Sequence, residues 1–174
     1  RALKIQIINY MIIQPQGKTA QDIELLPDPE RIVTGLRDTG YTFNTSIADI
    51  VDNSISANAT KVSILINMSP DMSITVYVAD NGCGMDIEGL KNAMKYGSKA
   101  RTQKNSLGKF GLGLKTASSA FCKQFSLISR NSAESPLNKV QWDIDYIASN
   151  GSWLLQFPTI ESDEEDLLEE IANN

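Results

Sequence analysis

The apolar residues of this chain change period several times without settling into a repeating strand, helix, strand order, and that limits the folds open to it. Between residues 44 and 57, Ile47, Ile50, Val51 and Ile55 recur at helical spacing, with Asn44, Thr45 and Ser46 as prospective N-caps, so a helix with one buried face is predicted. Stretches 61–67 and 74–79 are β-rich, with Ile74, Val76 and Val78 alternating, and the Ser69-Pro70-Asp71 break between them predicts a hairpin. Asp86 can cap a short helix whose Ile87, Leu90 and Met94 share a face, and Leu114, Ala117 and Phe121 open another. Three more strands are predicted at 125–129, at 140–146, where Val140, Trp142, Ile144 and Tyr146 alternate, and at 153–157. Residues 4–13 are apolar and β-branched as a strand is, and the polar, proline-containing stretch to about Glu30 reads as loop or arm. Clustered strands with helices between them predict an α+β fold: a two-layer sandwich of a mainly antiparallel mixed sheet with helices packed on one face.

A chain of 174 residues with 41% hydrophobic content supports one domain with a packed core. We place it at 1–160, with 1–41 as an N-terminal strand and arm, and read 161–174 as an acidic tail or the start of a linker to a further domain. The formal charge of -5 argues against broad, sequence-independent attraction to nucleic acid or anionic lipid. With no histidine and only Cys83 and Cys122, a zinc site, a disulfide framework and the usual serine or cysteine triads are not expected, so any catalytic base is a carboxylate. The apolar runs are too short for a membrane span and no signal peptide is evident, which suggests a cytoplasmic protein, or a nuclear one in a eukaryote. The start at Arg1 and the acidic end suggest a segment of a longer protein.

Three motifs bear chemistry. In Asp49-Ile-Val-Asp52-Asn53, Asp49 and Asn53 are four apart and share a helix face. An amide oxygen is a suitable hard ligand for Mg2+, and a neighbouring carboxylate can orient and deprotonate a water near a terminal phosphate; a solvated, capped helix face is the plain alternative. Asp80-Asn-Gly82-Cys-Gly84 follows directly on a strand. It suits a tight turn, and equally a carboxylate that accepts a hydrogen bond from the exocyclic amine of a base lying against bare main chain. Gly108-Lys-Phe-Gly111-Leu-Gly113-Leu114-Lys115-Thr116 puts three glycines ahead of a helix, where backbone N–H groups bind phosphate, although a flexible linker has the same composition. It is not a P-loop, because Leu114 separates Gly113 from Lys115, and the dinucleotide fingerprint occurs only in reverse order.

Together the three motifs, about thirty residues apart, resemble the successive boxes of the GHKL ATPases, the superfamily of gyrase, the heat-shock chaperone ATPase, histidine kinases and MutL. The resemblance runs from about Thr42 to Phe121, and Asn53-Ser-Ile-Ser-Ala, Tyr96-Gly-Ser-Lys-Ala-Arg and Gly108 to Ser118 look most like the branch of MORC-type and chaperone-like ATPases. It implies a Bergerat-type ATP-binding fold with ATP and Mg2+. Asn53 would coordinate the metal, Asp80 would bond the adenine amine, Gly82 and Gly84 would admit the base, and Met85 would pack on the ring. Residues 97–113 would be an ATP lid, with Gly108, Gly111, Gly113, Leu114, Lys115 and Thr116 near the phosphates, or with Lys115 facing solvent.

Asp49 would be the catalytic base, but it stands where the hydrolysing branch usually has Glu. Aspartate is one methylene shorter, and a misplacement of roughly 1 Å can cost on the order of 100-fold in rate, so slow hydrolysis is implied. Ser56 stands where relatives often have Asp, and the later Gly-Thr pair of the family has only Gly151-Ser152 as a weak substitute, so that pair is expected beyond Asn174. By the same resemblance, lid closure over ATP or ADP would drive a conformational switch or a nucleotide-dependent homodimer. A histidine-kinase-type catalytic domain and a non-hydrolysing nucleotide sensor are the alternative functions.

Overall fold

The computed structural model describes residues 27–38, 40–96 and 113–173. The predicted strand at 4–13, most of the lid, Gly108 and Gly111 lie outside the described residues. Within them the protein is α+β, as expected, with six helices and two small antiparallel sheets. The order is α1 (Pro29–Arg37), α2 (Phe43–Ser56), β1 (Val62–Met68), β2 (Ile74–Asp80), α3 (Ile87–Met94), α4 (Gly113–Phe121), β3 (Gln124–Ser129), β4 (Asn138–Asp143), α5 (Ile144–Asn150) and α6 (Ser162–Asn173). The described strands form two separate pairs, β1 with β2 and β3 with β4, where one sheet was predicted.

The helix over 44–57 forms as α2, but its cap is Thr42, upstream of the three residues proposed for that role. Thr42 accepts from the Thr45 amide while the Thr45 hydroxyl accepts from the Thr42 amide, a reciprocal capping box. Its face is also less apolar inside than its sequence suggested: Ile55 is exposed, while Ser46 and Ser54 are buried. The hairpin turns as predicted around Ser69, with Val62 opposite Asp80 and Ile66 opposite Val76. Asp86 caps α3 by accepting from the Gly89 amide, and Leu90 and Met94 are buried on the predicted face.

Three expectations are corrected. The alternation of 140–146 ends early, because Asp143 turns from strand residue to N-cap, accepting from the Tyr146 amide, and α5 begins at Ile144. Ile144 serves both periods, being buried next to the strand's Val140 and Trp142 and one helical turn from Ile147. The strand at 153–157 reduces to a single bridge between Gln141 and Gln156. The start of α1, in the stretch read as loop or arm, was hidden by its prolines: Pro29 occupies the first turn, where its missing N–H is not needed, and Asp28 caps it by accepting from the Arg31 amide. The acidic run forms α6, and it is docked, since Lys139 Nζ donates to both carboxylate oxygens of Glu164 at 2.7 Å with both side chains mostly buried.

The core gathers Leu90 and Met94 of α3, Val140 and Trp142 of β4 and Ile147 of α5. Tyr96, Trp142 and Trp153 pack on one another with ring centroids 5.0–5.6 Å apart. This cluster fixes α3, and with it the Asp80–Met85 turn that leads into it, against the second sheet. On the other side α2 packs along α4.

Candidate functional site

Helix α2 is the shared wall of the site. At its C-terminal end, the Ser54 hydroxyl donates to Asp80 Oδ2 at 2.7 Å, across 26 residues of sequence, and the Gly82 amide donates to Asp80 Oδ1 at 2.9 Å. The carboxylate is thereby fixed at the end of β2 with one donor on each oxygen. A carboxylate has about four lone-pair sites, so acceptor capacity remains on an exposed group.

The glycines of this turn are explained first by the protein itself. A Cβ on Gly82 would stand 2.7 Å from the Ala57 Cβ and 2.9 Å from the Ala57 carbonyl, which also accepts from the Cys83 amide at 2.9 Å. Gly84 has φ +62°, and a Cβ there would lie 1.8 Å from the Arg130 carbonyl oxygen. Met85 donates its amide to Ser129 Oγ at 2.8 Å and packs against the buried core cluster. The turn is thus clamped between α2 and the end of β3.

About one and a half helical turns earlier on α2, a rise of roughly 7.5 Å, stands Asp49. Tyr41 donates to Asp49 Oδ2 at 2.6 Å, and that carboxylate, together with burial, raises the tyrosine's pKa above its ordinary value. A Cβ on Gly113, the first residue of α4, would lie 4.0 Å from the same Oδ2. Asp49 therefore faces the helix N-terminus to which the third motif leads. Asn53 donates its amide nitrogen to the Asp49 carbonyl at 2.8 Å, which leaves its oxygen as the remaining polar atom of the group.

That arrangement fits a hard cation held largely by phosphate and water. Among the described residues no three His, Cys, Asp or Glu side chains gather to form a protein cage, and Mg2+ characteristically takes one or two protein oxygens beside those of a substrate.

Lys115 corrects one expectation. It does not face solvent: only 2% of it is exposed, Nζ donates to the Ala93 carbonyl at 2.7 Å, and the ammonium lies 5.8 Å from the Tyr96 ring centre. Burial lowers its pKa to about 8. Its side chain ties the first turn of α4 to the last turn of α3. Thr116 is buried beside it and Leu114 is half-buried.

The structure thus brings Asp49, Asn53, Asp80, Gly82 and Gly113 along one helix, and turns Met85 and Lys115 towards the interior. Sequence reasoning missed Tyr41 and Ser54. The serine left a faint trace, since Ser46 and Ser54 lie eight apart on the helix and two turns of shared face imply a common environment. Tyr41 left none.

Comparison with known proteins supplies the remaining observation. Residues 41–174 match the family model described as histidine kinase-, DNA gyrase B- and HSP90-like ATPase. The chain belongs to that family. The match begins at the tyrosine that holds Asp49 and runs well past Phe121, where the resemblance read from the motifs ended. Within the family, the chain is similar to ATPase MORC2B of Mus musculus, 30% identical over 89 residues, which is 49% of this chain and 9% of that protein. It is also similar to Protein MICRORCHIDIA 3 of Arabidopsis thaliana, 34% identical over 76 residues, 41% of this chain and 13% of that protein. ATPase MORC2 of Homo sapiens is 29% identical over 89 residues, again 49% of this chain and 9% of the relative. The chain therefore spans about a tenth of these relatives' length, and the branch it resembles is the MORC-like one. Among the described residues no helix is long and apolar enough to cross a membrane.

Proposed function

We propose that this domain binds ATP with Mg2+ between α2, the Asp80–Met85 turn and the start of α4, and hydrolyses it slowly. The observation that carries the proposal is the placing of Asp80 and Asp49 at two levels of one helix, one beside the base-sized turn and the other facing a helix N-terminus. Asp80 accepts from the exocyclic amine of adenine while Ser54 and the Gly82 amide hold it in place. The N–H groups that open α4 receive phosphate oxygens, as helix N-termini do, and Gly113 keeps that approach open. Asn53 contributes its amide oxygen to the metal. Bound Mg2+ supplies neutralising charge to the phosphates.

Hydrolysis requires a water to attack the terminal phosphorus as the bridging oxygen to the next phosphate leaves. Asp49 is the base that accepts the water's proton, and the bond from Tyr41 keeps its carboxylate in one orientation. Because the base is an aspartate, its reach to that water is shorter than a glutamate's, and the turnover is correspondingly slow. The glycine-bounded segment 97–113, Gly108 and Gly111 included, closes over bound nucleotide and couples it to a conformational change or a homodimer. Its place in the sequence, directly ahead of α4, supports that role.

Single-turnover ATP hydrolysis, measured on the wild type and on Asp49→Ala, tests the assignment. The variant is expected to keep nucleotide affinity within about twofold and to lose on the order of 100-fold in rate, the lower end of what a positioned base contributes. Equal rates contradict the role of Asp49 and leave a nucleotide sensor.

A further inference from the structure

The hairpin of β1 and β2 is exposed unevenly. Ile64, Leu65 and Ile66 on β1 are 48%, 43% and 57% exposed. Their partners across the register on β2, Val78, Tyr77 and Val76, are all half-buried. Successive residues of a strand point to opposite faces, so Leu65 looks one way and Ile64 and Ile66 the other. The exposure therefore follows the strand, not a face of the sheet. β2 is covered because α2 lies against it and α6 packs beside Tyr77, whereas among the described residues β1 packs substantially on β2 alone. A missing layer would leave one face bare on both strands. A missing lateral neighbour leaves both faces bare on one strand, which is the pattern found.

An apolar edge strand with an open row of N–H and C=O groups is a template for one further strand. We infer that β1 is the docking edge for residues 4–13 of this same chain, which pair with it as a third strand. Ile5, Ile7, Met11 and Ile13 alternate with Ile8, Tyr10 and Ile12, so this segment is apolar on both sides, as a strand enclosed on both faces is. It suits a β1 whose two sides are both apolar at Ile64 to Ile66. Ten residues match the seven of β1 with a margin. The polar stretch 14–26 that follows reaches about 45 Å when extended, more than the roughly 40 Å diameter expected of a domain this size, so β1 is within range of Pro27 wherever the two lie. Tethering also favours this segment over any free partner by giving it a millimolar effective concentration.

Amide hydrogen exchange on the full 174-residue chain tests the pairing. Every second amide of β1, those not bonded to β2, is expected to exchange at least about 100-fold more slowly than an open edge allows. In Asn9→Pro, which removes a donor from the middle of the added strand, these amides are expected to lose that protection while those of β3 keep theirs; Gln16→Pro in the connecting stretch leaves both unchanged. A second measurement does not depend on how that variant folds. A nitroxide on Asn9→Cys, in a chain with Cys83→Ser and Cys122→Ser, is expected to broaden the resonances of residues 62–68. Equimolar nitroxide-bearing chain and 15N-labelled chain without nitroxide should show no broadening. Unprotected β1 amides, absent broadening, or broadening only in the mixed sample, which would make a second copy the neighbour, each overturn the inference.

Discussion

Replacing Lys115 by methionine should flatten a pH dependence of stability that the buried ammonium creates. Burial lowers the lysine from 10.5 to about 8, so its charged form is disfavoured in the folded chain relative to the unfolded one. The unfolded chain then binds more protons than the folded chain between those two values, and stability rises with pH across that window. Integrated from pH 7.5 to 9.5, the gain is about 2 kcal/mol, or a rise of roughly 4–8 °C in melting temperature for a chain of this length. Two neighbours titrate the other way. Burial pushes the Tyr96 hydroxyl up to about 12 and also raises the Cys122 thiol, and a raised acid loses stability as pH climbs. Both residues remain in Lys115→Met, so subtracting the two profiles isolates the lysine. Urea unfolding followed by the fluorescence of Trp142 and Trp153 at four pH values supplies the profiles. The difference between wild type and variant should grow by about 2 kcal/mol towards alkaline pH. Parallel profiles would falsify the buried, Ala93-bonded placement of the side chain.

Two further variants probe the nucleotide side. Asp80→Asn should weaken ATP by on the order of 10- to 100-fold in calorimetry, because an amide N–H then faces the amine of the base; unchanged affinity removes Asp80 from the site. Its fold should survive, since Ser54 can accept where it now donates. Gly84→Ala should cost at least about 3 kcal/mol in urea unfolding, from a left-handed φ and a Cβ driven into the Arg130 carbonyl, and a stable variant would show that the turn can shift.

Much of the site was legible because its chemistry sits where elements begin and end. Asp80 closes a strand, Gly113 opens a helix, and Asp49 and Asn53 share a helix face, all of which follow from local period and spacing. Side-chain direction was not legible in the same way. Lys115 follows a glycine-rich phosphate motif and so reads as a ligand or a solvated residue, but the packing of α4 against α3 takes it inward to Ala93. Ser54 bonds across 26 residues, and no local pattern encodes so distant a partner. The fold shows the same division. α2, α3 and the β1–β2 turn carry their signals within a few residues, whereas the end of β4 depended on whether Asp143 would act as strand or cap, and tertiary burial of Ile144 and Ile147 decided that.

The convergence of three segments on one nucleotide is tested most directly by titrating the 15N-labelled chain with ATP and Mg2+ and recording its amide resonances. The shifts should concentrate at residues 49–53, 80–85 and 113–116 and saturate together with a single dissociation constant. Shifts confined elsewhere, such as the cleft lined by Ile87, Lys139 and Phe157, or three segments that saturate at different concentrations, would contradict it.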